Sequence, residues 1–314
     1  MRRDADSYAV DVAACREILR EGSKSFHAAS RFLPTRVRGP ASVIYAFCRV
    51  ADDAVDLVSP RESPEAVARL RRRLSQVYAG RPNNHPVDRA LAVVVERFEL
   101  PRAVPEALLD GFAWDVEGRR YETREALYGY CARVAATVGV MMTVLMGVRD
   151  PQTLARACDL GVAMQLTNIC RDVGEDARNG RIYLPLDMLD AVGIEPRHFL
   201  RAPAASPALS AVIEHLLRDS DRLYARADLG VAMLPRDCRV AIAAARGLYS
   251  FIGAELRRGD HDAVTRRTVV PTWRKVLLLL RASTAALSVS RRPHDDDPAP
   301  LDAVRFLIDA VRPG

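Results

Sequence analysis

Lysine is almost missing from this chain: Lys24 and Lys275 are the two lysines, and arginine supplies the rest of the 46 basic residues. A bias carried by one residue type along the whole length reads as genomic composition. The formal charge of +6 is therefore weak evidence for a polyanionic partner. No basic run is interleaved with aromatics, so nucleic acid is not expected as a partner. The six cysteines (Cys15, Cys48, Cys131, Cys158, Cys170 and Cys238) form no CxxC pair, and the histidines do not cluster. Neither a zinc site nor a disulfide framework is indicated, and a reducing cytoplasm is expected. No apolar stretch follows the charged start Met1-Arg-Arg-Asp, against a secretory signal. The apolar run from Val276 to Leu280, closed by Lys275 and Arg281, is much too short to span a bilayer. Alternating strand-like patterns are scarce, and no repeat of solenoid length is present.

What is present is an ordinary globular composition, 49% hydrophobic and 27% charged, over 314 residues. That length can enclose a cavity as well as a core. Apolar residues recur at helical spacing between Pro and Gly punctuation, which makes the fold class all-α. The pattern predicts helices near 8–21, 38–57, 64–79, 86–99, 104–118, 123–148, 151–175, 206–228, 236–258 and 271–289. One domain over 1–314 is expected. The Ala/Pro-rich stretch 202–207 and the acidic, Pro-rich stretch 290–300 read as exposed connectors.

Two segments stand out: Tyr45-Ala-Phe-Cys-Arg-Val-Ala-Asp-Asp-Ala-Val-Asp56 and Gln165-Leu-Thr-Asn-Ile-Cys-Arg-Asp-Val-Gly-Glu-Asp176. Each carries two aspartates four apart, Asp52 with Asp56 and Asp172 with Asp176. At about 100° per residue, such a pair shares one helix face. On the first wheel Arg49, Asp52 and Asp56 lie within about 40° of Tyr45. On the second, Asn168, Asp172 and Asp176 lie within about 60° of Gln165. A single pair of this kind is usually a solvated helix face. Two matching pairs facing each other would repel unless a cation sat between them, and Mg²⁺, held by one or two carboxylates and substrate phosphates, meets that need.

At these residues the chain resembles the squalene and phytoene synthase family, from Ser23-Lys-Ser-Phe26 to about Lys275. AFCRVADDAVD and QLTNICRDVGEDARNGRIYLP are the motifs that carry the likeness, and the first is worded more like phytoene synthases than squalene synthases. The resemblance implies an isoprenoid-synthase helical bundle around an apolar cavity. It also implies head-to-head joining of two geranylgeranyl diphosphates, through a cyclopropylcarbinyl diphosphate, to phytoene, the first step of carotenoid biosynthesis, with inorganic diphosphate released. By the same resemblance Asp52, Asp56, Asp172 and Asp176 hold Mg²⁺ or Mn²⁺, with Asp53 and Glu175 in supporting places. Tyr45, Arg49 and Tyr249 join the four aspartates in catalysis. Ser23, Ser25, Tyr130, Gln165, Asn168, Arg171, Tyr183 and Lys275 contact substrate.

Plainer roles stand beside these. Ser23 and Ser25 can cap a helix, Tyr45 and Tyr249 can be core aromatics, and Arg49 and Arg171 can be ion-pair partners of the acids. Lys275, retained where the chain otherwise uses Arg, fits a need for a compact ammonium. Ala136 stands where the family usually has Gly and adds a methyl at a helix contact. Val43, Val134, Ala135, Val138, Met141, Met142 and Leu145 are candidate cavity walls. No glycine-rich dinucleotide fingerprint is present, so NADPH is not expected. An oily product implies peripheral contact with membrane lipid at the inner face. The alternatives are a C30 synthase using farnesyl diphosphate, a terpene cyclase or chain-elongating prenyltransferase, and a non-catalytic assembly relative.

Overall fold

Capping chemistry sets where the helices begin. Asp150 accepts from the backbone N–H of Thr153 at 2.8 Å with Pro151 in the first turn. Ser206 caps in the same way before Pro207, and Thr123 before Arg124. These are the acceptor-then-Pro and acceptor-only starts that satisfy orphan amides. The computed structural model describes residues 2–56, 63–268 and 296–312, with Arg274 and His294.

Among the described residues every regular element is helical. In order they are α1 (Arg2–Gly22), α2 (Lys24–Ser30), α3 (Thr35–Asp56), α4 (Ser63–Tyr78), α5 (Pro86–Phe98), α6 (Ala103–Val116), α7 (Arg124–Cys131), a π turn (Ala132–Ala136) and α8 (Thr137–Leu145). There follow α9 (Pro151–Arg178), α10 (Leu186–Asp190), α11 (Pro196–Arg201), α12 (Pro207–Val231), α13 (Arg236–Arg258), a 3₁₀ turn (Asp302–Val304) and α14 (Arg305–Val311).

The all-α expectation and the long helices hold. The pattern missed α2, α10, α11 and α14, each of seven residues or fewer, because helical periodicity needs a longer window to show. The expected helix 123–148 is interrupted by the π turn. The expected helix 271–289 lies outside the described residues except for Arg274. Of the connector at 290–300, His294, Asp296 and Ala299 are exposed and Asp297 is buried.

α9 is the axis of the bundle. It packs along α12 and also meets α8, α13 and the π turn, while α1, α3, α4, α5 and α6 build the other side. One buried apolar cluster runs from Val12 to Val311. Close approach of α8 and α9 depends on small residues. A Cβ on Gly161 would sit 2.6 Å from Ala136 Cα, and one on Gly139 would sit 2.6 Å from the carbonyl oxygen of Ala157. Ala136 is fully buried at that contact, so the methyl expected there is accommodated by a glycine on the facing helix. The stretch Arg124–Leu145 is long and apolar enough to cross a membrane, but more than half of its apolar window is buried inside the bundle.

Candidate active site

A cavity of about 310 Å³ lies between α3, α8, α9, α12 and α13, with α2 closing one side. α9 lends it a single face at helical spacing, from Thr153 and Arg156 through Leu160 and Met164 to Gln165 and Asn168. Of the expected wall residues, Val134, Ala135, Val138 and Met142 line it. Val43, Met141 and Leu145 do not; they are buried in the core on the other faces of α3 and α8. Spacing alone could not tell the cavity face of these apolar helices from the core face.

At one end the lining changes from aliphatic to aromatic and polar. Tyr45 from α3, Phe26 from α2 and Tyr249 from α13 meet there. Phe26 lies between the two tyrosines, with ring centroids 6.1 Å from Tyr45 and 5.5 Å from Tyr249. Burial raises the pKa of both hydroxyls, that of Tyr249 to about 12. Asp172 and Tyr45 add to the Tyr249 shift and Arg171 opposes it, so both aspartate motifs converge on this end. Gly22 makes room for Tyr45: a Cβ there would fall 2.6 Å from the tyrosine oxygen.

Just outside the lining sit the charged residues. On α3, Arg49 reaches Asp53 at 2.6 and 3.1 Å and Asp52 at 3.6 Å. The motif neighbour Asp53, rather than Asp52, is thus its main partner. Asp56 ends α3, and its side chain is outside the described atoms. On α9, Arg171 forks onto Asp172, with Nε at 2.7 Å from Oδ1. Burial alone would lower the Arg171 pKa, but the Asp172 carboxylate raises it and keeps the guanidinium charged. Burial raises the Asp176 pKa to about 7, with Asp172, Glu175 and Asp115 adding to the effect and Arg181 opposing it.

Asn168 and Gln165 face the cavity one and two turns before Asp172. Asn168 donates weakly to Gln165 at 3.4 Å, while its Oδ1 is buried with no hydrogen-bond partner among the described residues. A buried unmatched acceptor on the carboxylate stripe is a place for a cation or a donor to bind. The donor set is all hard oxygen, two carboxylates and an amide on one stripe, and burial, with the neighbouring acids adding to it, has driven one acid toward protonation. That is the chemistry Mg²⁺ selects. Among the described residues the acids are not gathered around one point; Asp172 is turned onto arginines instead.

Tyr130 and Tyr183 do not line the cavity. Both donate to Asp115 of α6, at 2.9 and 2.8 Å, and their rings stack 5.1 Å apart. They hold the GRIYLP strap against α6 beside Asp176. Ser23 caps α2 by accepting from the Phe26 amide at 3.2 Å, which is the plainer of its two expected roles. Ser25 lies within α2 and Lys275 lies outside the described residues, so the side chain of neither is placed.

Three site residues escaped the sequence. Arg267 approaches Asp172 at 3.0 and 3.4 Å and Glu175 at 3.5 Å. It arrives because the segment after α13 crosses α9 at Gly174, whose amide donates to Ala263 O at 3.0 Å and whose Cβ would meet Val264 Cα at 2.6 Å. The glycine within the second aspartate motif was the signal. Asp115 had none beyond being an acid on an apolar helix. Phe26 stood in a quoted motif without a role.

The model of the family described as squalene/phytoene synthase matches residues 19–274. A phytoene synthase from Rhodobacter capsulatus is 53% identical over 96% of this chain and 90% of its own. One from Cereibacter sphaeroides is 55% identical over 96% and 88%. Among solved structures, a dehydrosqualene synthase in complex with ligand superimposes with a TM-score of 0.79 at 33% identity, over 90% of this chain and 98% of that one. With the motifs on facing helices at one end of an apolar cavity and the match running through both, the chain belongs to the squalene/phytoene synthase family.

Proposed function

We propose that this chain is a prenyltransferase that joins two geranylgeranyl diphosphates head to head to give phytoene. The observation that carries the reading is the run of apolar cavity leading away from the aspartates. Along α9 the cavity lining runs from Asn168 to Thr153, fifteen residues apart, or about 22 Å at 1.5 Å per residue. A five-carbon isoprene unit spans four chain bonds of about 1.5 Å, or about 5 Å when extended. A C20 tail of about 20 Å matches this run, and a C15 tail of about 15 Å falls one unit short. The C30 reading is favoured by the dehydrosqualene synthase likeness, but the closer relatives at 53% and 55% identity carry the phytoene synthase name.

The reaction breaks a C1–O bond in one substrate and releases diphosphate. The double bond of the second substrate attacks the allylic cation, and loss of a proton closes a cyclopropane that still carries one diphosphate. A second C–O cleavage, rearrangement and proton loss give the C40 triene. Two diphosphates and two protons leave per product. The guanidinium forks of Arg49, Arg171 and Arg267 fit diphosphate oxygens. Tyr45, Phe26 and Tyr249 present ring faces, and the two tyrosines un-ionised hydroxyls, where the cation forms. The aliphatic lining beyond them excludes water that would quench it. Asp52, Asp56, Asp172 and Asp176, with Asn168 Oδ1, are the groups to hold Mg²⁺ or Mn²⁺. The bound ion would neutralise charge on the leaving diphosphate.

The product is an oil, so the enzyme acts at the inner face of the cytoplasmic membrane. Phe32 is exposed next to the cavity-lining Ser30 and Leu33, which supports it as the residue that enters lipid. Co-flotation with liposomes that is lost in Phe32→Glu is the expected result; no flotation of the wild type at low salt contradicts it. The condensation itself is tested by stoichiometry. Two diphosphates per C40 hydrocarbon are expected, whereas diphosphate released with a C20 alcohol alone would show a hydrolase.

A further inference from the structure

The end of the cavity remote from the aspartates carries two copies of one turn. Phe32-Leu-Pro-Thr-Arg-Val-Arg38 joins α2 to α3, and Met233-Leu-Pro-Arg-Asp-Cys-Arg239 joins α12 to α13. In each, the leucine is buried on the cavity wall and the proline carbonyl accepts from the amide three residues on, at 2.9 Å. In each, the last arginine folds back onto the turn. Arg38 donates to Leu33 O at 3.1 and 2.8 Å and to Arg31 O at 2.9 Å. Arg239 donates to Leu234 O at 2.9 Å and to Ala232 O at 2.8 Å. The arginines satisfy carbonyls that a helix end leaves without partners, so each turn is stiff in itself.

Between the turns the link is ionic. Arg36 and Asp237 stand at the same place in the two copies, two residues after the proline, and they pair with each other. Arg36 Nη2 donates to Asp237 Oδ1 at 3.0 Å and Nη1 to Oδ2, with both side chains about half exposed. Arg36 lies sixteen residues before Asp52 on α3, about 24 Å away, and Asp237 lies twelve before Tyr249 on α13, about 18 Å away. Thr153, the lining residue of α9 at this end, has its Oγ1 3.6 Å from Met233 Sδ. The seam between α2 and α13 is alanine on alanine, with Ala29 and Ala244 in a small cluster separate from the main core. Side chains this short interlock little, so the seam depends on the ion pair.

We propose that the two Leu-Pro turns are a gate, latched by Arg36 and Asp237, through which the hydrocarbon product passes from the cavity into lipid. This rests on the head-to-head reading above and goes beyond it by giving the products separate exits, diphosphate at the aspartates and oil at the turns. Phe32, exposed on the first turn, sets this end against the bilayer. The finished hydrocarbon has no charge left to hold it at the aspartates, and its apolar length already reaches the turns. A forked ion pair in water is strong enough to keep the turns together and weak enough to open at each turnover.

The test uses the full-length enzyme in excess over labelled geranylgeranyl diphosphate, with Mg²⁺ and phosphatidylcholine–phosphatidylglycerol liposomes. Hydrocarbon formation is timed in the whole mixture, and its transfer to the liposomes is timed by flotation. Arg36→Glu, which sets like charges against each other, should speed transfer by about fivefold, the scale of an exposed ion pair, and leave single-turnover formation unchanged. The swapped pair Arg36→Asp with Asp237→Arg should return transfer to within about twofold of wild type. Arg36→Gln should speed transfer by about twofold, and it is the variant to read if Arg36→Glu does not fold. Unchanged transfer in the folded variants would overturn the gate. So would a swapped pair as fast as Arg36→Glu, or slower hydrocarbon formation, which would make the pair a support for the site. If the wild type forms no hydrocarbon, the head-to-head reading fails and the gate is judged by a second measurement. Labelled squalene supplied in the same liposomes, without Mg²⁺, should load onto Arg36→Glu about fivefold faster than onto wild type; equal loading would overturn the gate as well.

Discussion

Asp176 shows how a single residue can serve chemistry against stability. Its pKa is raised to about 7 by burial first and then by Asp172, Glu175 and Asp115. An acid raised in the folded state destabilises that state once it must ionise, so its cost appears as pH climbs from about 4 through about 7. In EDTA, wild-type thermal stability should fall between pH 4.5 and 7 more steeply than that of Asp176→Asn, which should also be inactive. Parallel curves for the two proteins would contradict the assignment. Arg267, found through Gly174 rather than through any motif, gives the second residue-scale prediction. Arg267→Ala should lower kcat/KM by about 10²-fold, the scale for losing one preorganised charge on a leaving group. The exposed Arg312→Ala, paired to Asp309 far along the chain, should leave it unchanged.

At the scale of elements, the small-residue contact of α8 with α9 places one cavity wall. Gly161→Ala would drive a methyl into the backbone of Ala135 and Ala136. Overpacking of this kind costs about 1–3 kcal/mol. A drop in Tm of roughly 1–2 °C per kcal/mol is expected for a chain of this size, and an unchanged Tm would show that the helices separate freely. The junction of α12 with the end of α13 is held by charge. Burial would raise the Glu214 pKa, but hydrogen bonds from Arg257, His261 and Arg218 pull it down to about 2. A depressed acid contributes stability above its ordinary pKa of about 4.5 that is lost as pH falls through about 2. Glu214→Gln should be less stable by about 1–2 kcal/mol at pH 7, after discounting for solvent at this half-buried site. The two denaturation curves should converge near pH 2.5, and a constant gap would contradict the linkage.

At the scale of the whole molecule, the sequence made the long helices and both aspartate stripes legible, because four-residue spacing and acceptor-Pro starts are local. Asp150-Pro151 marks the start of α9, and a helical wheel is enough to show the stripe from Asn168 to Asp176. The rest depended on contacts distant in sequence. Arg267 meets Asp172 across 95 positions, and Asp115 meets Tyr183 across 68. Val43 and Met141 could not be told from true cavity walls, since an apolar helix in a bundle is buried on several faces. The π turn at Ala132–Ala136 leaves no mark in hydropathy at all.

The most direct measurement is the hydrocarbon formed by the purified enzyme from geranylgeranyl diphosphate or farnesyl diphosphate, incubated in parallel with Mg²⁺ beside an Asp172→Asn control. A C40 triene from the C20 substrate, absent in the control, is the predicted result. A C30 product from the C15 substrate alone would contradict the cavity-length argument, and no hydrocarbon from either would contradict the enzyme itself.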